Sequence, residues 1–165
     1  MDSEQVAVQA AGADHEESLA DLYRTQWPSM VRLATLLTGS QQRAEDLVQD
    51  VFVRLHRRGD LGDTPTAYLR AAVVSACRSD ARRSMRDRRP WAAGQPCSNR
   101  ETVEWVDLLA LLPARARAAI VLRYWLDLTD QQIADTLDCR PATVRSLLRR
   151  GLARLKPVLE QAHHA

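Results

Sequence analysis

The sequence predicts an all-α protein built as two small helical domains joined by a flexible linker, and three observations carry that prediction. Leu, Ala and Arg dominate the chain, and all three favour helix. Apolar residues recur at three- and four-residue spacings along two long stretches. Between those stretches, over residues 87–100, the period fails where Pro90, Gly94 and Pro96 interrupt the chain, as a linker requires. With 165 residues, 45% of them apolar, the chain suits one domain of ordinary size or two small ones, with enough apolar residues for a core.

Residues 1–15 are small and acidic. The first 17 residues hold five carboxylates and no Lys or Arg, so 1–15 reads as a flexible acidic tail. It lacks the basic start and apolar middle of a signal peptide. No run of about twenty apolar residues occurs further along, so nothing is expected to span a membrane, and a cytoplasmic location is expected. From Glu16 the residues Leu19, Leu22, Tyr23, Trp27, Met30, Val31, Ala34 and Leu37 fall at helical spacing, with Pro28 marking a break or kink and Gly39 a C-terminal cap. A second helix, residues 41–56, has the apolar stripe Ala44, Leu47, Val48, Val51, Phe52 and Leu55, with Phe52 expected in the core. Its other side carries Glu45, Asp46, Gln49, Asp50 and Arg54. A turn over residues 58–63 leads to Thr64, an N-cap, and Pro65, the first helical residue. The third helix, 65–85, buries Tyr68, Leu69, Ala72, Val73 and Ala76 and ends in a basic run, Arg78, Arg82, Arg83, Arg86, Arg88 and Arg89, set against Asp80 and Asp87. Beyond the linker, Val103, Val106, Leu108, Leu109 and Leu112 mark a helix from Glu101, and Pro113 starts another that carries Ala116, Ile120, Val121, Tyr124 and Trp125 on its apolar side.

The last two helices have the residue sizes of a DNA-binding helix-turn-helix. Thr129 or Asp130 can cap a short helix over 131–137, and Pro141 opens a second that continues to Leu155. Two helices that cross closely need a small residue at the crossing, which Ala134 supplies. Ile133, Leu137, Cys139, Val144 and Leu147 fill the angle between them. The turn needs a positive φ, and Asp138 is among the few non-glycine residues that tolerate one. The second helix carries Arg140, Arg145, Arg149, Arg150, Arg154 and Lys156, with no acidic residue before Glu160. In such motifs the start of the second helix enters the major groove. Arg140, Thr143, Arg145 and Ser146 are therefore placed on the groove side, and Arg149 and Arg150 on phosphates. The net charge of +2 says nothing about partners; the uneven distribution of arginine does.

Other chemistries find little support. Cys77, Cys97 and Cys139 are far apart and share no ligand spacing with His15, His56, His163 or His164, so no zinc site is expected. Cys77 and Cys139 read as small apolar fillers. There is no Ser-His-Asp set, metal cluster or phosphate loop, so neither an enzyme nor a cofactor is expected.

Three segments together narrow the reading. Residues 44–55, Ala-Glu-Asp-Leu-Val-Gln-Asp-Val-Phe-Val-Arg-Leu, resemble the polymerase-binding segment of bacterial sigma factors. Residues 65–78 resemble their promoter-melting segment, and the helix-turn-helix with Ala142, Thr143, Val144, Arg145 and Ser146 resembles the segment that reads the −35 element. The order is the family's, and the short gap leaves no room for the middle domain of larger sigma factors. The chain is thus similar to the extracytoplasmic-function (group 4) members of the sigma-70 family, of the actinobacterial sigma-E-like type. The resemblance implies a sigma2-like domain at 16–86, the linker at 87–100 and a sigma4-like domain at 101–160. It implies that Asp46, Gln49 and Asp50 dock on the β′ clamp helices of core RNA polymerase; without the resemblance, the favoured reading is that these carboxylates are solvated or pair with Arg54. It further implies that Arg70, Ser75, Arg78, Arg82 and Arg83 bind the −10 element, with one flipped base held near residues 58–64 and Ser75. Arg140, Thr143, Arg145, Ser146, Arg149 and Arg150 would bind the −35 element. The β flap, promoter DNA and an anti-sigma protein are the other implied partners. Ser75 stands where many relatives have asparagine, and Tyr68 where many have tryptophan; Tyr68 is expected in the core. The alternatives are a stand-alone helix-turn-helix regulator and a helical adaptor with basic faces.

Overall fold

Local chemistry sets several of the helix ends. The computed structural model describes residues 2–59, 63–86 and 100–162, with side chains from 19 onward in the first helix and from 103 onward in the fourth. These residues form α1 (Asp2–Thr38), α2 (Gln41–Arg58), α3 (Pro65–Arg86), α4 (Arg100–Ala110), α5 (Ala114–Tyr124), α6 (Asp130–Leu137) and α7 (Pro141–Ala162), with no strand among them. Gly39 ends α1 in the left-handed region, at φ 78°, and its N–H donates to the Thr35 carbonyl at 2.8 Å. Ser40 caps α2, its hydroxyl accepting from the Arg43 N–H at 3.3 Å. Gly59 ends α2 at φ 70°, and Pro65 opens α3, where the Tyr68 N–H donates to the Thr64 carbonyl. The linker at 87–99 and Cys97 within it lie outside the described residues.

α1, α2 and α3 pack as one bundle around Leu33, Val48, Val51, Leu69, Val73 and Val74, and α5, α6 and α7 as another around Leu122, Ile133, Leu137 and Val144. Each such side chain contributes about 1.5–3 kcal/mol by leaving water. Gly151 lets α7 approach α5: a Cβ there would meet Ile120 Cγ1 at 3.1 Å. Phe52 is buried as expected and meets Tyr23 edge-on, with ring centroids 5.0 Å apart.

Several expectations are corrected. Residues 2–15, expected as a flexible tail, continue α1 as helix. The stretch is alanine-rich and free of proline, and Asp2 and Glu4 favour a helix N-terminus. Pro28 does not break α1; it lies on the exposed side, where the Arg24 carbonyl deprived of an N–H partner can face water. α7 runs past Leu155, through Pro157, to Ala162. Tyr68, Tyr124 and Trp125, expected on apolar faces, are 43%, 64% and 39% exposed. The buried stripe of α3 runs through Leu69, Val73 and Cys77, one position around from Tyr68. Tyr124 and Trp125 stand at the end of α5, where Arg32 lies over the Trp125 ring at 5.2 Å.

The two bundles touch. α4 packs against α1 rather than closing on its own half, and α1 and α3 meet α5, with α3 also meeting α6. Arg117 of α5 is 5% exposed at this junction. Its Nε donates to the Leu109 carbonyl at 3.0 Å, Nη2 to the Leu112 carbonyl at 3.0 Å, and Nη1 to the Leu37 carbonyl at 2.8 Å. Leu109 lies in the last turn of α4, Leu112 in the turn before α5 and Leu37 in the last turn of α1, so one guanidinium ties together the ends of two helices and the turn between α4 and α5; the Leu109 carbonyl also accepts from the Leu112 N–H at 3.1 Å. Burial pushes its pKa down to about 10, which keeps it charged at neutral pH. Arg117→Met keeps the bulk and removes the donors. A buried carbonyl left unpaired costs about 1–3 kcal/mol, so urea unfolding is expected to show a loss of at least about 1–3 kcal/mol, whereas an exposed control, Arg115→Met, should change stability by no more than about 0.5 kcal/mol.

Candidate nucleic-acid interface

The helix-turn-helix is closed by polar groups at both ends of α6. The Thr129 hydroxyl accepts from the Gln132 N–H at 3.3 Å, and Gln132 Oε1 accepts from the Thr129 N–H at 2.9 Å, a reciprocal capping box. Of the two candidate caps, Thr129 is the one used. At the other end Asp138 adopts φ 49°, ψ 63°, the left-handed conformation expected of it, and the Cys139 N–H returns to the Ala134 carbonyl at 3.0 Å. Ala134 is 1% exposed, as a close crossing demands, and Cys139 packs half-buried against the core. This geometry presents Arg140, Arg145, Arg149 and Arg150 to solvent, with Thr143 and Ser146 half-buried between them. Arg150 Nε donates to the Ser146 carbonyl at 3.3 Å, which lays its guanidinium along α7. Residue spacing gives no sign that Asp130 reaches this face: it pairs with Arg123 and stands 3.5 Å from Arg145 Nη1.

A second surface lies between α2 and α3. A cleft of about 570 Å³ is lined by Asp50, Arg54, Tyr68, Ser75, Ser79 and Arg83 among others. It joins a residue expected to bind polymerase, Asp50, to two expected to contact the −10 element, Ser75 and Arg83. Asp46 and Gln49 lie exposed on the same helix as Asp50. Arg54 does not engage these carboxylates; its Nε donates to the Asp50 backbone carbonyl at 3.2 Å, and among the described residues Asp46 and Asp50 have no ion-pair partner. Tyr68 borders the cleft with Arg58 over its ring at 4.9 Å, and Arg58 Nη1 donates to the Tyr68 hydroxyl at 2.8 Å. Asp80, which sits inside the basic run, is occupied by Arg43 of α2 at 3.3 Å and so does not neutralise Arg82 or Arg83, both exposed. Beside the cleft, Arg82, Arg83 and Arg86 line a further hollow with Met85, which is 79% exposed.

Two of the expected −10 residues sit apart from this cleft. Arg78 turns toward the other bundle, where its Nη1 donates to the Leu137 carbonyl at 3.0 Å. Burial and the nearby Arg115 and Arg82 lower its pKa. Arg70 is half-buried, its Nε sealed without a hydrogen-bond partner, and burial lowers its pKa as well.

Residues 22–87 match the family described as Sigma-70 region 2, and residues 102–155 match Sigma-70, region 4. The ECF RNA polymerase sigma factor SigM of Mycobacterium tuberculosis is 30% identical over 96% of this chain and 84% of its own length. The chain belongs to the extracytoplasmic-function RNA polymerase sigma factors. An RNA polymerase sigma-E factor of Streptomyces avermitilis is 29% identical over 83% of this sigma factor and 82% of its own length. The fold is shared with the sigma factor RpoE of Bartonella quintana, solved in complex with the anti-sigma factor NepR, at a TM-score of 0.70 and 20% identity over 87% of this chain and 98% of that one. The stand-alone regulator is not favoured, because both sigma regions are present in family order. Among the described residues no helix is long and apolar enough to cross a membrane.

Asp138 is the turn residue that departs from glycine. Asp138→Gly should leave stability within about 0.5 kcal/mol, since the relaxed φ offsets the greater freedom of the unfolded chain. Asp138→Val should cost about 1–2 kcal/mol, because a β-branched side chain is poorly tolerated at φ 49°. Thermal melts of the two variants check the order.

Proposed function

We propose that this sigma factor directs core RNA polymerase to its promoters by gripping DNA at two points. The cleft between α2 and α3 carries the reading, because it places a carboxylate of α2 beside the hydroxyl and guanidinium of α3. Asp46, Gln49 and Asp50 dock on the β′ clamp helices, where their unpaired charge meets a basic partner. Ser75, Arg82 and Arg83 receive the displaced strand of the −10 element, and the cleft volume suits a base taken out of its stack at a cost of a few kcal/mol. Arg70 and Arg78 flank that path and reach DNA only after leaving their present surroundings. On α7, Arg140, Thr143, Arg145 and Ser146 face the major groove of the −35 element, while Arg149 and Arg150 hold phosphates. The β flap supports the second bundle. The protein performs no covalent chemistry; the polymerase supplies the active site. It works in the cytoplasm, where polymerase and promoter are, and an anti-sigma protein is its expected antagonist, as the Bartonella complex illustrates for that sigma factor.

Transcription in vitro with core polymerase and fragmented genomic DNA tests the function. Start sites that depend on the added protein are expected; their absence overturns the reading. Docking is tested separately. Asp46→Arg with Asp50→Arg should weaken binding to core polymerase about tenfold or more, an effect of about 1.4 kcal/mol or more, with an unchanged melting profile. Equal affinity would remove α2 from the polymerase interface.

A further inference from the structure

Asp130 begins α6, outside the arginine face of α7, yet its carboxylate is held from two sides. Oδ1 pairs with Arg123, and Arg123 also donates its Nη1 to the Leu128 carbonyl at 2.7 Å, so this cation is anchored to the segment between α5 and α6. Oδ2 faces Arg145 Nη1 at 3.5 Å. The Arg123 and Asp130 side chains are 28% and 30% exposed, whereas that of Arg145 is 64% exposed. The arrangement runs from a fixed cation, through a half-shielded carboxylate, to a solvent-facing cation on the recognition helix.

A carboxylate at the start of α6 favours the helix dipole and pairs with Arg123, but neither accounts for its second contact, with Arg145. An ion pair with an exposed arginine adds little to stability. An acidic group beside a DNA-facing helix repels phosphate and lowers overall affinity. What the carboxylate does supply is direction. A free arginine side chain carries about 2 kcal/mol of rotamer entropy, and a partner on one Nη removes part of that freedom while leaving the other edge of the guanidinium available. A guanidinium aimed at a base edge reads sequence; one free to swing finds phosphate instead.

We propose that Asp130 is a positioning residue for −35 recognition, holding Arg145 in the direction from which it meets a base edge. The proposal rests on the reading of α7 as the groove-facing helix. The test uses the full chain bound to core polymerase and a promoter library randomised across the −35 region, with base preference read at every position after one round of selection. Arg145→Ala should flatten the preference at one or two adjacent positions. Asp130→Asn should flatten the same positions, by about fivefold in discrimination, while overall retention on DNA is equal or greater because a negative charge is gone. The double variant should match Arg145→Ala. Asp130→Glu should keep the preference and Asp130→Gln lose it, a pair equal in length and different in charge that repeats the comparison independently of any effect of asparagine on folding. If Asp130→Asn and Asp130→Gln tighten binding to all sequences alike and leave every preference intact, the carboxylate only repels DNA and the proposal is overturned. If Arg145→Ala itself changes no preference, the groove assignment of Arg145 fails and the proposal falls with it; a change in Arg145→Ala alone overturns only the role of Asp130.

Discussion

The three hydrogen bonds of Arg117 hold the architecture together. Three carbonyls, from the last turns of α1 and α4 and from the turn before α5, meet at the junction of the bundles, where an unpaired polar group would be costly. A single planar cation with donors on several edges satisfies them at once, which a lysine or a glutamine could not do with the same geometry. The ends of α1 and α4 and the start of α5 are therefore fixed with respect to one another. Because α5 also carries α7 through the close approach at Gly151, the position of the recognition helix is set, two contacts removed, by the same buried charge.

Much of the second bundle is legible in the sequence because its constraints are local. The cap at Thr129, the left-handed Asp138, the small Ala134 and the opening Pro141 each follow from the chemistry of one residue within a few positions of its partner. Arg117 is not legible in this way. By type it belongs on the surface, and the Leu37 carbonyl it serves is eighty residues away in the chain. Tyr68 and Trp125 depart from their expected places for a related reason: their spacing suits the apolar face, but each meets an arginine at the rim, Arg58 and Arg32, where the ring edge or hydroxyl can stay wet. The site shows the same division. Which residues are exposed on α2 and α7 could be read from periodicity, whereas the orientation of Arg78 toward Leu137 depends on how the bundles meet.

Charge in this protein is organised by pairing rather than by count. A net charge of +2 conceals an arrangement in which two acids that fall within or beside the basic faces are already engaged, Asp80 by Arg43 and Asp130 by Arg123. Among the described carboxylates without an ion pair, Asp46 and Asp50 lie one turn apart on α2.

Two aspartates in the left-handed region bracket α6: Asp127 at φ 50° before it and Asp138 at φ 49° after it. An eight-residue helix has little stability of its own, so its length is fixed by these boundaries and by the cap at Thr129. One consequence concerns how the chain can change over time. A residue inserted within α6 ahead of Ile133 would rotate the remainder of the helix by about 100° and carry Ile133 and Leu137 out of the core. The motif should therefore accept substitutions while refusing changes of length, and variation in length should gather outside these boundaries.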